Sequence, residues 1–349
     1  MITPFAREMI DLAPSLIPLI DHERFRRARI ALEEFAKLDR GGSIVIICGP
    51  SNAGKTALLK TLIEFMVDQI FVGVAENEVP VIGASAQTTR EGRTTPKYLY
   101  EMLLAEVGNP FFDHTKNALA GGYSPRRGKS ETDLLAALMH AMRAVKTKYV
   151  LVDEAQYMVR ARDVEYRSSL VESLKSLAST NRSLVLAGGY EFANVVLSQR
   201  AHLAARAKII HMERYRDTKQ DVESWCAIIK AFEQCESLEL ESADLLRELA
   251  LELLEECHGV VGILQDRLIM SHMIARAEGR KITADDVRNC KLPEDASKVI
   301  LNDILAGERT LQKLRAAEDK DLPAEKPSRG RNKPFTVNPV RTFRKVEVA

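Results

Sequence analysis

One short stretch of the chain has the residue types and spacing needed to bind a phosphate chain. Residues 49–56 are GPSNAGKT, which fits the phosphate-binding pattern G-x-x-x-x-G-K-[ST]. Its glycines let the backbone curl around an anion without Cβ clashes. We expect Lys55 to reach the β- and γ-phosphates of ATP and the Thr56 hydroxyl to ligate Mg²⁺. The predicted cofactor-binding residues are Gly49, Pro50, Ser51, Asn52, Ala53, Gly54, Lys55, Thr56 and Ala57.

A pair of adjacent acids, Asp153 and Glu154, could supply hydrolytic chemistry. They follow the apolar, strand-like residues 149–152. Such a pair alone is a weak signal, since acids at strand ends are commonly solvated loop residues. Downstream of a phosphate loop, Asp153 is expected to hold Mg²⁺ and Glu154 to polarise the attacking water. Gln156 either senses the γ-phosphate or is an ordinary polar residue of a first helical turn.

The elements that must position these residues alternate between strands and helices. Residues 43–48 form an apolar, β-branched run after two glycines, and residues 57–63 have helical spacing. The phosphate loop is therefore predicted between a buried strand and a helix N-terminus, where free N–H groups favour an anion. Further predicted strands occupy residues 79–84, 148–154, 183–189 and 208–212. This alternation predicts an α/β fold with a mainly parallel sheet flanked by helices.

The composition is that of a soluble globular protein with no global nucleic-acid signature. The chain has 349 residues, 46% of them hydrophobic, and a formal net charge of +1. A DNA site would therefore have to be a local patch. Five scattered cysteines without a Cys-x-x-Cys pair favour a reducing cytoplasm over a disulfide framework or a zinc site. No apolar run of about 20 residues and no signal-peptide pattern occurs, so no membrane association is expected.

Four regions are predicted along the chain. Residues 1–40 form an irregular arm and a helix, and residues 41–215 the nucleotide-binding domain. Residues 216–297 form a small helical lid, followed at 298–349 by a helical extension and a flexible basic tail. In the first helix, Phe25, Ile30, Leu32 and Phe35 are the expected inward residues. Residues 22–25 either contact the adenine base or belong to an ordinary packing helix.

The chain resembles the AAA+ ATPases in the order of its features. These are the phosphate loop, the Asp-Glu strand, a further strand and a helical lid. Among the AAA+ ATPases, the chain resembles the transposition regulators of the TnsC/TniB group, relatives of MuB. The resemblance spans about residues 21–290, and the supporting segments are residues 49–56, 151–156, 186–191 and 199–206. The first two segments are typical of the whole superfamily. The narrower assignment rests on the Leu-Ala-Gly pattern at 186–188, the compact size and the small lid.

The resemblance implies an ATPase that assembles as a ring or helical filament on double-stranded DNA. Such proteins recruit a transposase to a target with a target-selection protein, and hydrolysis dismantles the assembly. It also implies a bacterial, mobile-element-encoded, cytoplasmic protein. Nucleotide lies between subunits, and a neighbour supplies an arginine. By position Arg206 is the first candidate for this catalytic arginine and Arg200 the second, the alternative for each being a surface arginine.

Two departures from the family pattern concern the residues that sense the γ-phosphate. Gly188 and Gly189 occupy the usual place of a polar residue after the fourth strand, so Tyr190 or Glu191 substitutes, or the role is absent. No arginine lies within residues 259–264, where the lid sensor is expected, and Gln265 and Arg267 are the nearest polar candidates. Both departures predict slow, switch-like hydrolysis.

The family also implies where DNA would bind. In the family, two loops contact DNA. One follows the second strand, and the other precedes the helix that leads to the Asp-Glu strand. The corresponding basic residues are Arg90, Arg93, Lys97, Arg126, Arg127 and Lys129. They would contact phosphates without reading sequence, and binding would weaken with salt. The alternative is that they are solvated basic loop residues.

Two other functions remain open from the sequence. One is another DNA-associated AAA+ ATPase, such as a replication initiator or helicase loader. Initiators commonly carry a winged-helix or helix-turn-helix module after the lid, and the residues after 291 are too few and too polar for one, which disfavours this alternative. The other is a nucleotide-switched signalling or scaffold protein without a DNA role.

Overall fold

The structure is a computed structural model that describes residues 3–11, 16–86, 95–108, 130–159, 172–179, 181–198 and 207–321. The chain divides into two units, Met1–Thr310 and Leu311–Ala349. The sheet, the helical lid and the candidate site all lie in the first unit. Among the described residues, no helix is long and apolar enough to span a bilayer.

A five-stranded parallel sheet forms the centre of the first unit. Its strands are β1 (Ile44–Cys48), β2 (Val81–Ser85), β3 (Tyr149–Asp153), β4 (Ser183–Gly188) and β5 (Ala207–His211), in the order β2-β3-β4-β1-β5. Every residue of β1, β3 and β4 is buried, as expected for strands covered on both faces. The predicted α/β fold with a parallel sheet is confirmed.

Helices flank the sheet. In chain order, they are α1 (Pro4–Ile10), α2 (Glu23–Leu38), α3 (Lys55–Phe65), α4 (Pro96–Glu106), α5 (Glu131–Ala144) and α6 (Tyr190–Ser198). A π-helical turn, Met66–Ile70, extends α3. Helices α1, α2 and α3 share a hydrophobic core with alternate residues of β1, β3 and β4. Helix α5 begins at a capping box in which Ser130 and Asp133 exchange side chain to backbone hydrogen bonds.

The strand register brings the functional ends of the strands to one edge. Ser85 pairs with Asp153, and Cys48 pairs with both Gly188 and His211. The strands are parallel, so all five carboxyl ends meet at this edge. Ligands of open α/β sheets bind outside the carboxyl ends of the strands. The two predicted chemical motifs, at the ends of β1 and β3, are therefore neighbours.

A helical lid follows the sheet and has its own core. It contains α7 (Lys219–Glu233), α8 (Leu245–Glu248), α9 (Ala250–Glu256), α10 (Val261–Ala277) and α11 (Ala284–Asn289). Trp225 is fully buried in this core, and its indole Nε1–H donates to the Ala250 carbonyl over 2.9 Å. Thr283 and Asp286 cap α11 reciprocally, as their spacing predicts.

A long helix, α12 (Glu294–Asp321), comes after the lid. It begins before residue 298, where the sequence places the start of a helical extension. Ile300 and Ile304 pack with the lid core. The flexible basic tail was predicted within residues 298–349, and the part of it after residue 321 lies outside the described residues.

Two local expectations are wrong. Ile30 was expected to face inward on α2, but its side chain is 49% exposed. The arm before the first predicted helix was expected to be irregular, but residues 4–10 form α1. Thr3 caps this helix by accepting a hydrogen bond from the Ala6 N–H, and Pro4 stands at the first position, where a missing N–H costs nothing.

Candidate nucleotide-binding site

The phosphate loop connects β1 to α3 in a backbone shape that requires glycine at two places. Gly54 has a left-handed φ of +87°, just before the first residue of α3. A Cβ on Gly49 would lie 2.6 Å from the carbonyl oxygen of Met212, so any side chain there would push the loop from the strand layer. The loop therefore opens toward the N-terminus of α3, where free N–H groups and the helix dipole favour phosphate.

Lys55 is the cation of the loop. Its Nζ donates to the carbonyl oxygens of Pro50 at 2.5 Å and Gly49 at 3.3 Å. Burial lowers the pKa of Lys55, while the charges of Glu154 and Asp153 act in the opposite direction. Phosphate oxygens are the natural replacement for carbonyl acceptors at this ammonium.

Thr56 and Asp153 form the predicted metal site. The Thr56 hydroxyl donates to Asp153 Oδ2 over 2.7 Å, and the Glu154 N–H donates to Asp153 Oδ1 over 2.8 Å. Asp153 is only 5% exposed, and burial raises its pKa, opposed by these hydrogen bonds. A hydroxyl and a carboxylate fit Mg²⁺, which is held by one or two protein groups together with phosphates and water. The described residues contain no cluster of three metal-ligating His, Cys, Asp or Glu.

Glu154 lies in the cleft beside Gln156. The Gln156 Nε2 donates to Glu154 Oε2, and the Gln156 Oε1 accepts from the Gly189 N–H at 3.0 Å. These contacts join the end of β3 to the residue after β4. Two further residues at the start of α6, Tyr190 and Glu191, also line the cleft.

The lid helix α10 packs directly against the backbone of the phosphate loop. A Cβ on Gly262, in α10, would lie 2.0 Å from the Asn52 carbonyl oxygen. The Asn52 Nδ2 donates to Asp266 Oδ2 over 2.6 Å. Of the two lid candidates for sensing phosphate, Gln265 lines the cleft. Arg267 is a buried brace of the lid: its guanidinium pairs with Glu256 at 2.7 Å and donates to the Val287 carbonyl at 2.5 Å.

Helix α12 forms a wall of the cleft that the sequence does not indicate. Gly307 lies against the Tyr190 ring, where a Cβ would be 2.1 Å from the ring carbon Cγ. Glu308 is 6% exposed and pairs with Arg214 at 3.1 Å and Arg216 at 3.4 Å. Together with Ile304, Asp303 faces the cleft from this helix. The spacing of residues 300, 304 and 307 on one face is the only sequence signal for this wall.

A second, smaller cavity lies behind the loop, where α2 meets the lid. Its lining includes Pro50, Ala53, Met212 and Val260, together with His22 and Arg24 of the segment considered for adenine contact. The His22 Nδ1 accepts from the Phe25 N–H at 3.3 Å and lies 3.0 Å from the Tyr215 hydroxyl. Burial lowers the pKa of His22 to about 4, so the imidazole is neutral and serves as the cap of α2.

The main cleft has a volume of about 800 Å³, which is enough for a nucleoside triphosphate. The cleft is lined by the phosphate loop, the end of the Asp-Glu strand, the start of α6, the lid and α12. The charged lining residues among those described are one lysine and four acids: Lys55, Glu154, Glu191, Asp266 and Asp303. The residues present therefore fit ATP and Mg²⁺, with a shortage of positive charge that Mg²⁺ relieves in part.

Most predicted arginines lie outside the described residues. They are Arg90, Arg93, Arg126, Arg127, Arg200 and Arg206, together with Lys129. Lys97 is described: it is half-buried in the first turn of α4, after the cap residue Thr95. The predicted loop and acid residues meet at one cleft. The roles of the DNA and arginine-finger candidates stay predictions, and of these residues only Lys97 has a described position.

Comparison with known proteins supports this assignment of the fold. Residues 38–196 match the model of a protein family described as "AAA domain". The solved Aeropyrum pernix ORC1 protein in complex with DNA is similar with 16% identity and a TM-score of 0.55, over 81% of this chain and 68% of that one. Comparison with curated protein sequences finds no match.

Two further solved structures have a similar fold. The Aeropyrum pernix ORC2 protein is similar with 16% identity and a TM-score of 0.51, over 81% of this chain and 71% of that one. Pyrobaculum aerophilum Cdc6p has 18% identity and a TM-score of 0.51, over 81% and 70% of the two chains. Identities this low show the fold alone. The α/β region therefore has the AAA+ P-loop fold and is followed by a helical region.

Proposed function

We propose that this protein is an ATP-dependent, DNA-binding regulator of transposition. It assembles in several copies on double-stranded DNA, recruits a transposase with a target-selection protein, and disassembles when ATP is hydrolysed. The observation that supports a nucleotide site completed by a neighbouring copy is the negative charge of the cleft. Four carboxylates and one ammonium line its described part, yet a triphosphate brings several negative charges of its own. Mg²⁺ and an arginine from a neighbouring copy would balance it, with Arg206 or Arg200 as that arginine.

The chain's own residues divide the work of hydrolysis. Lys55 and the loop N–H groups would bind the phosphates, and Thr56 with Asp153, which are joined by a hydrogen bond, would hold Mg²⁺. Bound ATP supplies the phosphoryl group that is transferred to water. Glu154 would accept the proton of that water, because it lines the same cleft as Lys55 and Thr56, and ADP would leave. Without an arginine among the described lining residues, a single copy is expected to hydrolyse ATP slowly.

An exposed apolar stripe on the lid supports self-assembly. Met270, Met273 and Ile274 lie on one face of α10 and are 50%, 57% and 40% exposed. Residues spaced by three and four positions share a helix face. The opposite face of the same helix, with Leu264 and Leu268, is buried in the lid core. A helix that is apolar on both faces is typical of one buried on both sides in an assembly.

The DNA role rests on the basic loop residues and on the family resemblance. Arg90, Arg93, Lys97, Arg126, Arg127 and Lys129 are the proposed phosphate contacts. The Aeropyrum pernix ORC1 structure with the same fold contains DNA, which is consistent with this proposal. The transposition role rests on the family resemblance, which depends on the Leu-Ala-Gly pattern at residues 186–188, the compact size and the small lid. The alternative is another DNA-associated AAA+ ATPase, such as a replication initiator, which the fold of the ORC and Cdc6 proteins also accommodates.

Electron microscopy with a non-hydrolysable ATP analogue, with and without duplex DNA of random sequence, tests the proposal. We expect rings or filaments that need both the analogue and DNA and that dissolve as salt rises. Assembly that is indifferent to DNA would favour a scaffold or signalling protein. Assembly only on a particular DNA sequence would favour a replication initiator.

Two variants separate ATP binding from hydrolysis. Lys55→Ala removes the only cation among the described cleft residues, so we expect loss of nucleotide-dependent assembly. Glu154→Gln keeps the shape of the side chain but removes its basicity, so we expect assemblies that form with ATP and persist. Equal assembly of both variants with ATP would contradict the proposed roles.

A further inference from the structure

Gln156 is held at both ends of its side chain by groups of the catalytic edge. Its amide nitrogen donates to Glu154 Oε2, and its amide oxygen accepts from the Gly189 N–H at 3.0 Å. Glu154 and Gly189 are at the ends of two neighbouring strands, β3 and β4. The Gln156 side chain therefore spans the place where the proposed base and the loop after β4 meet, and it lines the same cleft as Lys55.

At the end of β4, a side chain on Gly188 would make tight contact with Gln156 and Ala155. A Cβ on Gly188 would lie 3.2 Å from Gln156 Oε1, 3.1 Å from its backbone nitrogen and 3.3 Å from the Ala155 Cβ. A Cβ on Gly189 would also face Gln156, at 3.9 Å from its Cβ. The polar group at this position thus comes from the turn after β3 and not from β4.

The hydrogen bond to Glu154 leaves one of its oxygens for chemistry. Gln156 holds Oε2, so Oε1 is the oxygen that remains to accept a proton. A base whose rotamer is fixed needs no reorganisation at the moment of reaction. Because Gln156 is anchored to Gly189, a shift of the loop after β4 also moves the carboxylate. Resting on the proposed ATP hydrolysis, we propose that Gln156 is a positioning residue: it orients Glu154 and couples it to the end of β4.

The first test truncates the side chain. For Gln156→Ala we expect kcat to fall about 10-fold or more, because the base is no longer held, while the Kd of a fluorescent ATP analogue changes less than about twofold. In nucleotide-free protein, the Gly189 amide should exchange its hydrogen faster, since it loses its acceptor. Gln234→Ala, which truncates an exposed glutamine at the end of α7, should change none of these quantities.

The second test uses the pH profile, which a purely structural role would not move. Gln156→Glu places a carboxylate beside Glu154, and two close carboxylates share a proton, so the acidic limb of kcat should move to higher pH. Gly188→Ala alone should lower kcat, because the added methyl displaces Gln156. In a protein that already carries Gln156→Ala, the same substitution should lower kcat little further.

The outcomes separate this inference from the proposed function. If Glu154→Gln abolishes hydrolysis while Gln156→Ala retains wild-type kcat, or raises it, the positioning role is wrong and the ATPase site stands. If Gln156→Glu leaves the pH profile unchanged, Gln156 does not act through Glu154. A wild-type protein that binds ATP without hydrolysing it, and is unaffected by Glu154→Gln, would overturn both.

Discussion

Glu154 has left-handed backbone geometry, with φ of 55°, directly after β3. A left-handed conformation costs a residue with a Cβ roughly 1 kcal/mol or more, and such residues cluster at functional sites. Asn52, at the apex of the phosphate loop, has a similar φ of 59°. Both residues lie where the chain leaves a strand and must turn its side chains toward the cleft. The strain is consistent with the catalytic role proposed for Glu154.

Glu106, the last residue of α4, binds the N-terminal helix. Its two carboxylate oxygens accept from the Phe5 N–H at 2.9 and 3.1 Å. The Phe5 ring fills the space beside Gly83 in β2, where a Cβ would be 2.2 Å from it. Burial raises the pKa of Glu106 from its ordinary 4.5 to about 7, and the charge of Glu8 adds to this, against the hydrogen bonds from Phe5 and Thr3.

This shift predicts a pH dependence of the N-terminal helix. The folded state binds the proton more tightly than the unfolded state, so folding stability falls as pH rises from about 4.5 to about 7 and is level above. Glu106→Gln keeps an acceptor for Phe5 without the charge. We expect its melting temperature to exceed that of the wild type by more at pH 8 than at pH 5. A constant difference across this range, or the same trend in the exposed control Glu76→Gln, would contradict the prediction.

At the scale of the elements, α12 is the least expected part of the site. Its Gly307 contacts the Tyr190 ring, and its Glu308 is buried between Arg214 and Arg216. The Tyr190 hydroxyl in turn lies 3.0 Å from His211 Nε2, at the end of β5. The cleft therefore has three kinds of wall: the sheet edge with its loop, the lid, and a helix beyond the lid.

Gly307→Ala tests the packing of this wall, because its expected effect on stability is opposite to the usual effect of this substitution in a helix. Alanine normally stabilises a helix by about 1 kcal/mol relative to glycine. Here the added methyl would meet the Tyr190 ring at 2.1 Å, so we expect a lower melting temperature and faster hydrogen exchange in residues 294–310. The exposed Asn302→Ala, on the same helix, should be neutral or slightly stabilising. A stabilised Gly307→Ala protein would show that α12 does not pack on Tyr190.

At the scale of the whole molecule, the exposed stripe of α10 predicts how copies meet. Met273→Glu places a charge in this apolar stripe, and a charge buried without a partner opposes association. We expect the variant to stay monomeric by light scattering under conditions where the wild type assembles with an ATP analogue and DNA. Leu38→Glu, at the exposed end of α2, is the matched control and should assemble. Equal assembly of the two variants would place the interface elsewhere.

The sequence by itself determined the fold class and predicted the central chemistry. A phosphate loop needs a fixed order of glycines, lysine and threonine between a strand and a helix, so its pattern and context are both local. The Asp-Glu pair at the end of β3 is equally local. The parallel sheet follows from alternating strands and helices, and parallel strands must present their carboxyl ends at one edge. Residues 49–56 and 153–154 therefore could be brought together from the sequence.

Only the tertiary structure decided which distant residues complete the cleft. Gln156 could be a sensor or a plain turn residue until its contacts with Glu154 and Gly189 were known. Arg267 has the right type for a phosphate sensor, yet its direction on α10 places it in the lid core. Asp303 belongs to a helix whose packing depends on a contact between Gly307 and Tyr190, more than 100 positions apart. Contacts between distant residues depend on packing and shape, which local patterns of residue type do not encode.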